Sequence, residues 1–147
     1  MAGAVKALST RIKKWFQMPK ERYVASGGRK TSMARVYVFP NTTKKAVLIV
    51  NGVDGSEYFS KFMLQKAMRA LMHVEGGYSA VCKITGGGTT GQSEAINHAI
   101  AKALSGINSD FKRDFRKEGF LTRDARMVES KTAGKHKARR SKQWSKR

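Results

Sequence analysis

Three glycines near the middle of the chain have a spacing that occurs in nucleotide-binding enzymes. Gly86, Gly88 and Gly91 satisfy the pattern G-x-G-x-x-G after a strand-like run and before a helix-like run, which is where a dinucleotide-binding loop lies. The same stretch, GGGTTGQS at residues 86–93, is one substitution away from the triphosphate-binding loop G-x-x-x-x-G-K-[S/T]. Both patterns place backbone amides around phosphate oxygens at the start of a helix.

The residues around this loop argue against a nucleotide-dependent enzyme. Gln92 stands where the triphosphate loop needs its lysine. A dinucleotide site needs a second parallel strand after the helix and an acidic residue about 20 positions on, but the helix leads into the charged segment SDFKRDFRKEG, to which Asp110 belongs. We interpret the glycines as a tight strand-to-helix turn whose free amides can receive an RNA phosphate, helped by donors from Thr89, Thr90 and Gln92.

The other reactive residue types form no recognisable site. The sequence contains no G-x-S-x-G, no paired-carboxylate motif and no H-E-x-x-H. His73, His98 and His136 have no cysteine or carboxylate neighbours at metal-ligand spacing. Cys82, the single cysteine, cannot form a disulfide framework and is expected to be a small buried hydrophobe. We therefore predict a protein that is not an enzyme and takes no metal, cofactor or small-molecule substrate.

The charge of the chain points to a polyanionic partner. Thirty Lys and Arg against ten Asp and Glu give a formal net charge of +20, which makes a free monomer repel itself. No run of about 18 apolar residues is present to span a bilayer, so nucleic acid is favoured over a membrane. Residues 1–35 carry +8 and residues 120–147 carry +8, whereas the 84 residues between them carry only +4. This pattern predicts a basic N-terminal extension (residues 1–21), a globular core (22–119) and a basic C-terminal arm (120–147).

Strand and helix patterns alternate within the predicted core. Residues 34–39 (ARVYVF) and 46–50 (AVLIV) are predicted to be strands joined as a hairpin, and residues 78–85 (YSAVCKIT) a further strand. Ser56 is predicted to cap a helix whose apolar stripe continues to Val74. A second helix is predicted from about Thr90 to a cap at Gly106, and a third, basic helix over residues 109–118, ended by Gly119.

Five segments in register resemble one known family. The run GGGTTGQSEAINHAIAKAL (residues 86–104) resembles the signature of the ninth protein of the small ribosomal subunit, bacterial and organellar type. Four more segments follow that family's order: GGRKTSMARV (27–36), VNGV (50–53), GFLTRDARMVESK (119–131) and KARRSKQWSKR (137–147). Together the resemblance covers about residues 22–147.

The resemblance implies a fold, a function and partners. It implies an α+β, two-layer α/β fold with a four-stranded mixed sheet packed on two main helices, and an extended C-terminal arm that threads through ribosomal RNA. The implied function is a structural constituent of the small-subunit head. The implied partners are small-subunit ribosomal RNA, neighbouring head proteins and the P-site transfer RNA, whose anticodon loop the arm's tip (Ser145, Lys146 and Arg147) approaches.

The composition of the arm supports this interpretation independently. Residues 130–147 carry eight basic side chains and no acid, so they cannot build a core and are expected to take shape on RNA. Trp144 can stack on a base or fill a protein crevice, and stacking is favoured. Asp124 is expected to orient a neighbouring arginine. The predicted contacts to ribosomal RNA outside the glycine loop are Arg29, Lys30, Arg35, Lys112, Arg113, Arg116, Lys117, Arg123, Arg126, Lys131, Lys135, His136, Lys137, Arg139, Arg140, Lys142 and Trp144.

The first 20 residues bear on the compartment in which the protein works. Residues 1–20 are basic, acid-free and partly amphipathic, a composition compatible with a mitochondrial targeting segment or with a leader that simply binds RNA. A mitochondrial ribosome is favoured over a chloroplast or bacterial one. The rival functions are a free architectural or regulatory nucleic-acid-binding protein and, from a third class, a nucleotide-dependent enzyme.

Overall fold

Five strands and five helices make up the regular structure of the described part of the chain. The computed structural model describes residues 21–41, 46–74 and 77–146. The strands are β1 (Tyr23–Arg29), β2 (Ser32–Pro40), β3 (Leu48–Val50), β4 (Val53–Asp54) and β5 (Tyr78–Thr85). The helices are α1 (Gly55–Tyr58), α2 (Lys61–Ala67), α3 (Arg69–His73), α4 (Thr89–Ser105) and α5 (Ser109–Lys117). The α+β class is as predicted.

The strands form one mixed sheet in the order β1-β2-β5-β3-β4. β3 runs parallel to β5, and the other pairs are antiparallel. The predicted hairpin between the segments at residues 34–39 and 46–50 is wrong, because β5 lies between β2 and β3 and pairs with both. Residues 41–47 connect these two strands, and a link of that length does not impose the pairing that a two-residue turn would.

The expectation of four strands is also corrected to five. The pattern of hydrophobic residues missed β1, whose sequence YVASGGR contains Gly27 and Gly28, and glycine weakens a strand interior. Gly27 is required by packing: a Cβ atom there would lie 2.6 Å from the Ala95 carbonyl oxygen and 2.7 Å from the Ala99 amide nitrogen. Helix α4 therefore rests directly on the backbone of β1.

Helix α4 confirms the predicted stripe and forms the centre of the core. Its buried residues pack against the sheet and against the neighbouring helices, and Gly106 caps it by donating its N–H to the Ala103 carbonyl. On the sheet side, alternate residues of β2 and β5 are buried beneath the helices: Ala34, Val36, Val38, Ala80, Cys82 and Ile84. Cys82 is buried, as predicted, and burial raises the pKa of its thiol to about 12.

The helix predicted from Ser56 to Val74 is instead three short helices, α1, α2 and α3. The helical layer that covers the sheet is therefore not built from two main helices, as was expected. Asp54, not Ser56, caps α1: its Oδ1 accepts from the Ser56 amide at 2.9 Å. The chain leaves helical geometry at Phe59, and α2 and α3 meet at Met68. Apolar spacing alone did not reveal these breaks, because Phe59 and Met68 are buried like the helical residues around them.

Helix α5 forms as predicted and closes the core. The Asn108 side chain caps it by accepting from the Asp110 amide at 3.0 Å. Phe115 is fully buried and contacts the ring of Phe120 at a centroid distance of 5.9 Å. Gly119 ends the helix with φ +73°, a conformation that glycine adopts without strain.

Candidate nucleic-acid interface

Arg29, the last residue of β1, joins the core to the start of the arm. Its Nε donates to Glu94 Oε2 of α4 at 2.6 Å, and one terminal nitrogen lies 3.0 Å from Asp124 Oδ2. The other terminal nitrogen donates to the carbonyl of Arg126 at 2.5 Å. Only 14 % of the side chain is exposed. The Arg29 guanidinium is therefore engaged by groups of its own chain, from two different elements.

Glu94 receives a second cation at the same place. Lys66 of α2 donates from Nζ to Glu94 Oε1 at 2.7 Å. Burial acts to raise the pKa of Glu94, but the hydrogen bonds and positive charges of Lys66 and Arg29 outweigh it and hold the pKa below its usual range. The carboxylate stays ionised and ties α2, α4 and β1 together.

Asp124 orients the arginines at the root of the arm, as its sequence context predicted. Its carboxylate accepts from the Arg126 side chain at 2.8–3.2 Å and from the Arg126 amide at 2.9 Å. These bonds, with the charges of Arg126 and Arg29, hold the pKa of Asp124 well below its usual range. Arg126 itself is 88 % exposed. Its guanidinium is thus fixed on one edge and open to a partner on the other.

His98 makes the second link between helix α4 and the arm, and the sequence analysis missed it. Its Nε2 lies 3.2 Å from the carbonyl oxygen of Leu121, and since a carbonyl only accepts, Nε2 carries the proton. Its Nδ1 is buried without a hydrogen-bond partner. Burial lowers the pKa of His98, and the nearby Lys102 and Arg123 act in the same direction. No sequence signal marks this contact, because Leu121 contributes only its backbone.

The arm itself is exposed but not featureless. Residues 123–146 lie outside helices and strands. Within them Arg139 pairs with Glu129 through bonds of 2.8 and 2.5 Å, the His136 amide donates to the Arg140 carbonyl, and Thr132 Oγ1 donates to the Ala138 carbonyl. The sequence alone predicted shape only on RNA, whereas residues 129–140 here close a loop. Predicted contact residues that remain exposed in the arm are Arg123, Lys131, His136, Lys137, Arg140, Lys142, Trp144, Ser145 and Lys146; Lys135 is half-buried and Arg147 lies outside the described residues.

The glycine loop is a braced turn at the start of α4. Gly86 and Gly87 have φ +73° and +65°. A Cβ on Gly87 would lie 1.9 Å from Ser32 Oγ, so the loop packs against the start of β2. Gln92 Nε2 donates to the Gly86 carbonyl at 3.2 Å, and its Oε1 accepts from the Tyr58 hydroxyl at 3.1 Å. Gln92 therefore holds the turn, whereas Thr89 and Thr90 are exposed.

Three structural findings bear on the other classes of function. In the part of the chain that the structure describes, α4 is followed by α5 and by no strand, so the parallel strand of a dinucleotide site is missing. Within residues 21–41, 46–74 and 77–146, no three His, Cys, Asp or Glu side chains group as metal ligands would. The described helices include none with the length and apolarity to cross a membrane.

The remaining predicted contact residues form exposed cationic surface. Lys112, Arg113, Arg116 and Lys117 of α5 are exposed, as are Lys30 in the β1–β2 turn and Arg35 on β2. Arg123 lies against β1, since a Cβ on Gly28 would be 3.6 Å from Arg123 Nε. The predicted cations thus lie on the sheet and its β1–β2 turn, on helix α5 and on the arm.

Comparison with known proteins identifies the family of this chain. Residues 27–147 match the family described as ribosomal protein S9/S16. The chain is 47 % identical over 126 residues to "Small ribosomal subunit protein uS9" of Cytophaga hutchinsonii, which covers 84 % of this chain and 96 % of the relative. It is 45 % identical to the protein of that name from Bifidobacterium animalis subsp. lactis (83 % and 76 % covered) and 44 % identical to that from Thermus thermophilus (86 % and 99 %). The chain therefore belongs to the ribosomal protein S9/S16 family.

Proposed function

We propose that this protein is a structural constituent of the small ribosomal subunit, held there by small-subunit ribosomal RNA and by neighbouring ribosomal proteins. It is not an enzyme. The observation that carries the assignment is a cationic, exposed arm that is fastened at its root to a folded core by Arg29 and His98. A polyanion is the partner that such an arm requires.

The proposal divides the chain by role. Residues 22–119 supply the folded core, residues 120–147 the RNA-binding arm, and residues 1–21 a basic extension. The exposed cations of α5 and of the arm contact RNA directly. Arg29 acts differently: because its donors are taken by Glu94, Asp124 and Arg126, it positions the root of the arm.

Sedimentation distinguishes this function from a free architectural or regulatory nucleic-acid-binding protein. The native protein is expected to co-sediment with small subunits in a low-salt gradient and to stay with them after nuclease trimming of polysomes. Recovery of the protein mainly at the top of the gradient would contradict the ribosomal assignment.

We further propose that the tip of the arm contacts the anticodon loop of the P-site transfer RNA. Support comes from the resemblance of residues 137–147 to the family's C-terminal segment and from the exposure of Ser145 and Lys146. Deleting residues 145–147 is expected to leave subunit assembly intact and to weaken P-site transfer RNA binding at low magnesium. Unchanged affinity of assembled subunits would remove the tip from the site.

The mitochondrial matrix is our proposed location, on the composition of residues 1–20 alone. These residues lie outside the described part of the chain, and the three relatives named above are bacterial. A reporter fused behind residues 1–21 is expected to enter isolated mitochondria and to be protected there from protease. A reporter that stays outside would favour a bacterial or chloroplast ribosome.

A further inference from the structure

One face of the sheet carries a row of mainly apolar residues beside a row that contains two cations. Successive strand residues point to opposite faces, and residues such as Val36 and Cys82 face the buried side. On the other face the strand register aligns Val24, Tyr37, Val81 and Ile49 in one row, and Ser26, Arg35 and Lys83 in the next. We call the residues Val24, Ser26, Met33, Arg35, Tyr37 and Lys83 the open sheet face.

Arg35 and Lys83 are direct cross-strand partners on this face. They are paired in the register of β2 and β5, and both are exposed. Side chains in such a pair have Cβ atoms about 5 Å apart, and like charges there are destabilising. Among the residues that the structure describes, neither forms an ion pair with a carboxylate. The fold thus holds two cations side by side, and neither is ion-paired within the described chain.

A third cation is held over the neighbouring row. The guanidinium carbon of Arg22 lies 6.0 Å from the centroid of the Tyr37 ring, an arrangement in which the ring face attracts the cation. Tyr37 is two residues from Arg35 on the same strand and so shares its face. Among the strand residues aligned with these two rows, Asp54 of β4 is the one carboxylate. It lies opposite Ile49, and its Oδ1 accepts hydrogen bonds from the amide and the hydroxyl of Ser56.

We propose that the open sheet face binds the phosphate backbone of a small-subunit ribosomal RNA strand, as a second contact separate from the arm. One phosphate group can accept hydrogen bonds from both Arg35 and Lys83, which converts their repulsion into attraction to a shared anion. RNA fits better than an acidic protein surface because the apolar row is short and the chain's net charge of +20 calls for a polyanion. The proposal rests on the proposed ribosomal function.

A photo-crosslinker placed on this face identifies its occupant. Met33 is 64 % exposed and lies on the same face as Arg35, so a benzophenone amino acid in its place, in the full chain assembled into small subunits, should crosslink to RNA on irradiation. Met72 of α3, 60 % exposed on the helical layer, is the matched control position and should give at least threefold less RNA crosslink. Crosslinks from position 33 to protein, or none above the control, overturn the proposal.

Charge removal provides an independent test with the free protein and purified small-subunit ribosomal RNA. The double variant Arg35→Gln/Lys83→Gln should reduce the slope of log K against log salt by about 0.7 to 0.9, the contribution of one phosphate contact, since the two side chains share one phosphate. Lys61→Gln/Arg69→Gln removes the same charge from exposed positions on α2 and α3 and should change the slope by less than half as much. Equal changes in the two variants would show a general charge effect and overturn the proposed site.

Two further readouts separate the possible failures. The double variant on the open sheet face should melt at the same temperature as the parent or higher, because it relieves a like-charge pair, so weaker binding cannot be attributed to unfolding. If the parent protein neither bound ribosomal RNA nor sedimented with small subunits, the proposed ribosomal function itself would be contradicted. If the parent binds ribosomal RNA and the double variant shows no specific loss of affinity or of slope, only the proposed site on the open sheet face is contradicted.

Discussion

Arg29 and Asp124 lie 95 residues apart in the chain and form a 3.0 Å ion pair that joins the end of β1 to the root of the arm. The same guanidinium also binds Glu94 on helix α4. Three parts of the fold therefore meet at one side chain, and the direction in which the arm leaves the core depends on it. An arm that leaves the core in a fixed direction loses less conformational entropy when it binds RNA than one that is free from its first residue.

The variant Arg29→Gln is expected to release the root of the arm while leaving the core folded. Hydrogen exchange of residues 121–126 should accelerate, and the free energy of unfolding should fall by about 1.5 to 3 kcal/mol, the usual range for hydrogen bonds to charged groups. Arg126→Gln is the control, because the Arg126 side chain is 88 % exposed and its loss leaves the bonds of Arg29 in place. Unchanged exchange in Arg29→Gln would mean that the arm is held elsewhere.

Gly27→Ala is expected to destabilise the core by about 1 to 3 kcal/mol, the range for overpacking a close contact. The added Cβ would meet backbone atoms of Ala95 and Ala99 at 2.6–2.7 Å, and helix backbone cannot move aside as a flexible side chain can. Gly28→Ala, in the same strand, is the matched control, since the nearest atom to a Cβ there lies 3.5 Å away, an ordinary contact, and it should change stability by less than about 0.5 kcal/mol. Denaturant melts measure both; equal stabilities would show that α4 does not rest on β1 as described.

His98 is expected to make stability depend on pH below neutrality. Burial lowers the pKa of His98 in the folded state, so below the unfolded pKa of about 6.5 the unfolded chain binds more protons and stability falls. The loss should begin near that value and continue down to the lowered folded pKa. Glu94 and Asp124, whose folded pKa values are also lowered, lose their stabilising effect only at more acidic pH, as they take up protons.

Melting temperatures of the parent and of His98→Gln between pH 7.5 and 5 test this assignment. The difference between the two melting temperatures should become smaller on acidification, because the variant lacks the imidazole that takes up a proton when the parent unfolds. His136→Gln, which changes an exposed histidine of the arm, should keep the pH profile of the parent. A parent whose melting temperature is flat over this interval would rule out a neutral, buried His98.

The pattern of apolar residues predicted helices α4 and α5, which form from local sequence. Strand β1, the strand order and the breaks between α1, α2 and α3 depend on contacts between distant segments. The spacing of apolar residues in α4 and the Phe111–Phe115 pair in α5 was sufficient to predict both helices, because α4 buries one continuous face and α5 packs Phe115 and the partly buried Phe111 against the core. The glycines of β1 resemble a loop until α4 is placed on them, and the position of β5 between β2 and β3 depends on pairings between distant segments. Nothing in a helical period distinguishes a continuous helix from one broken at buried residues such as Phe59 and Met68.

The candidate nucleic-acid interface, too, could be predicted only in part from the sequence. Composition predicted a cationic arm, since charge is a property of residues and not of their arrangement. It could not predict that Arg29 is engaged within the chain, because its partners Glu94 and Asp124 come from other elements. Nor could it single out Lys83, which becomes notable only when the register places it opposite Arg35.

The arm is expected to supply most of the salt dependence of RNA binding. Deleting residues 130–147 removes eight basic side chains, which should reduce the slope of log K against log salt by about 6 if each contacts a phosphate. Trp144→Ala separates charge from stacking: the ring is 79 % exposed, and its loss should leave the slope unchanged while weakening binding by about 1 to 3 kcal/mol, as base–aromatic stacking does. Filter binding to small-subunit ribosomal RNA at several salt concentrations measures both quantities. If the deletion changed affinity without changing the slope, the arm would be acting through something other than its charges, and its cations would not lie on phosphates.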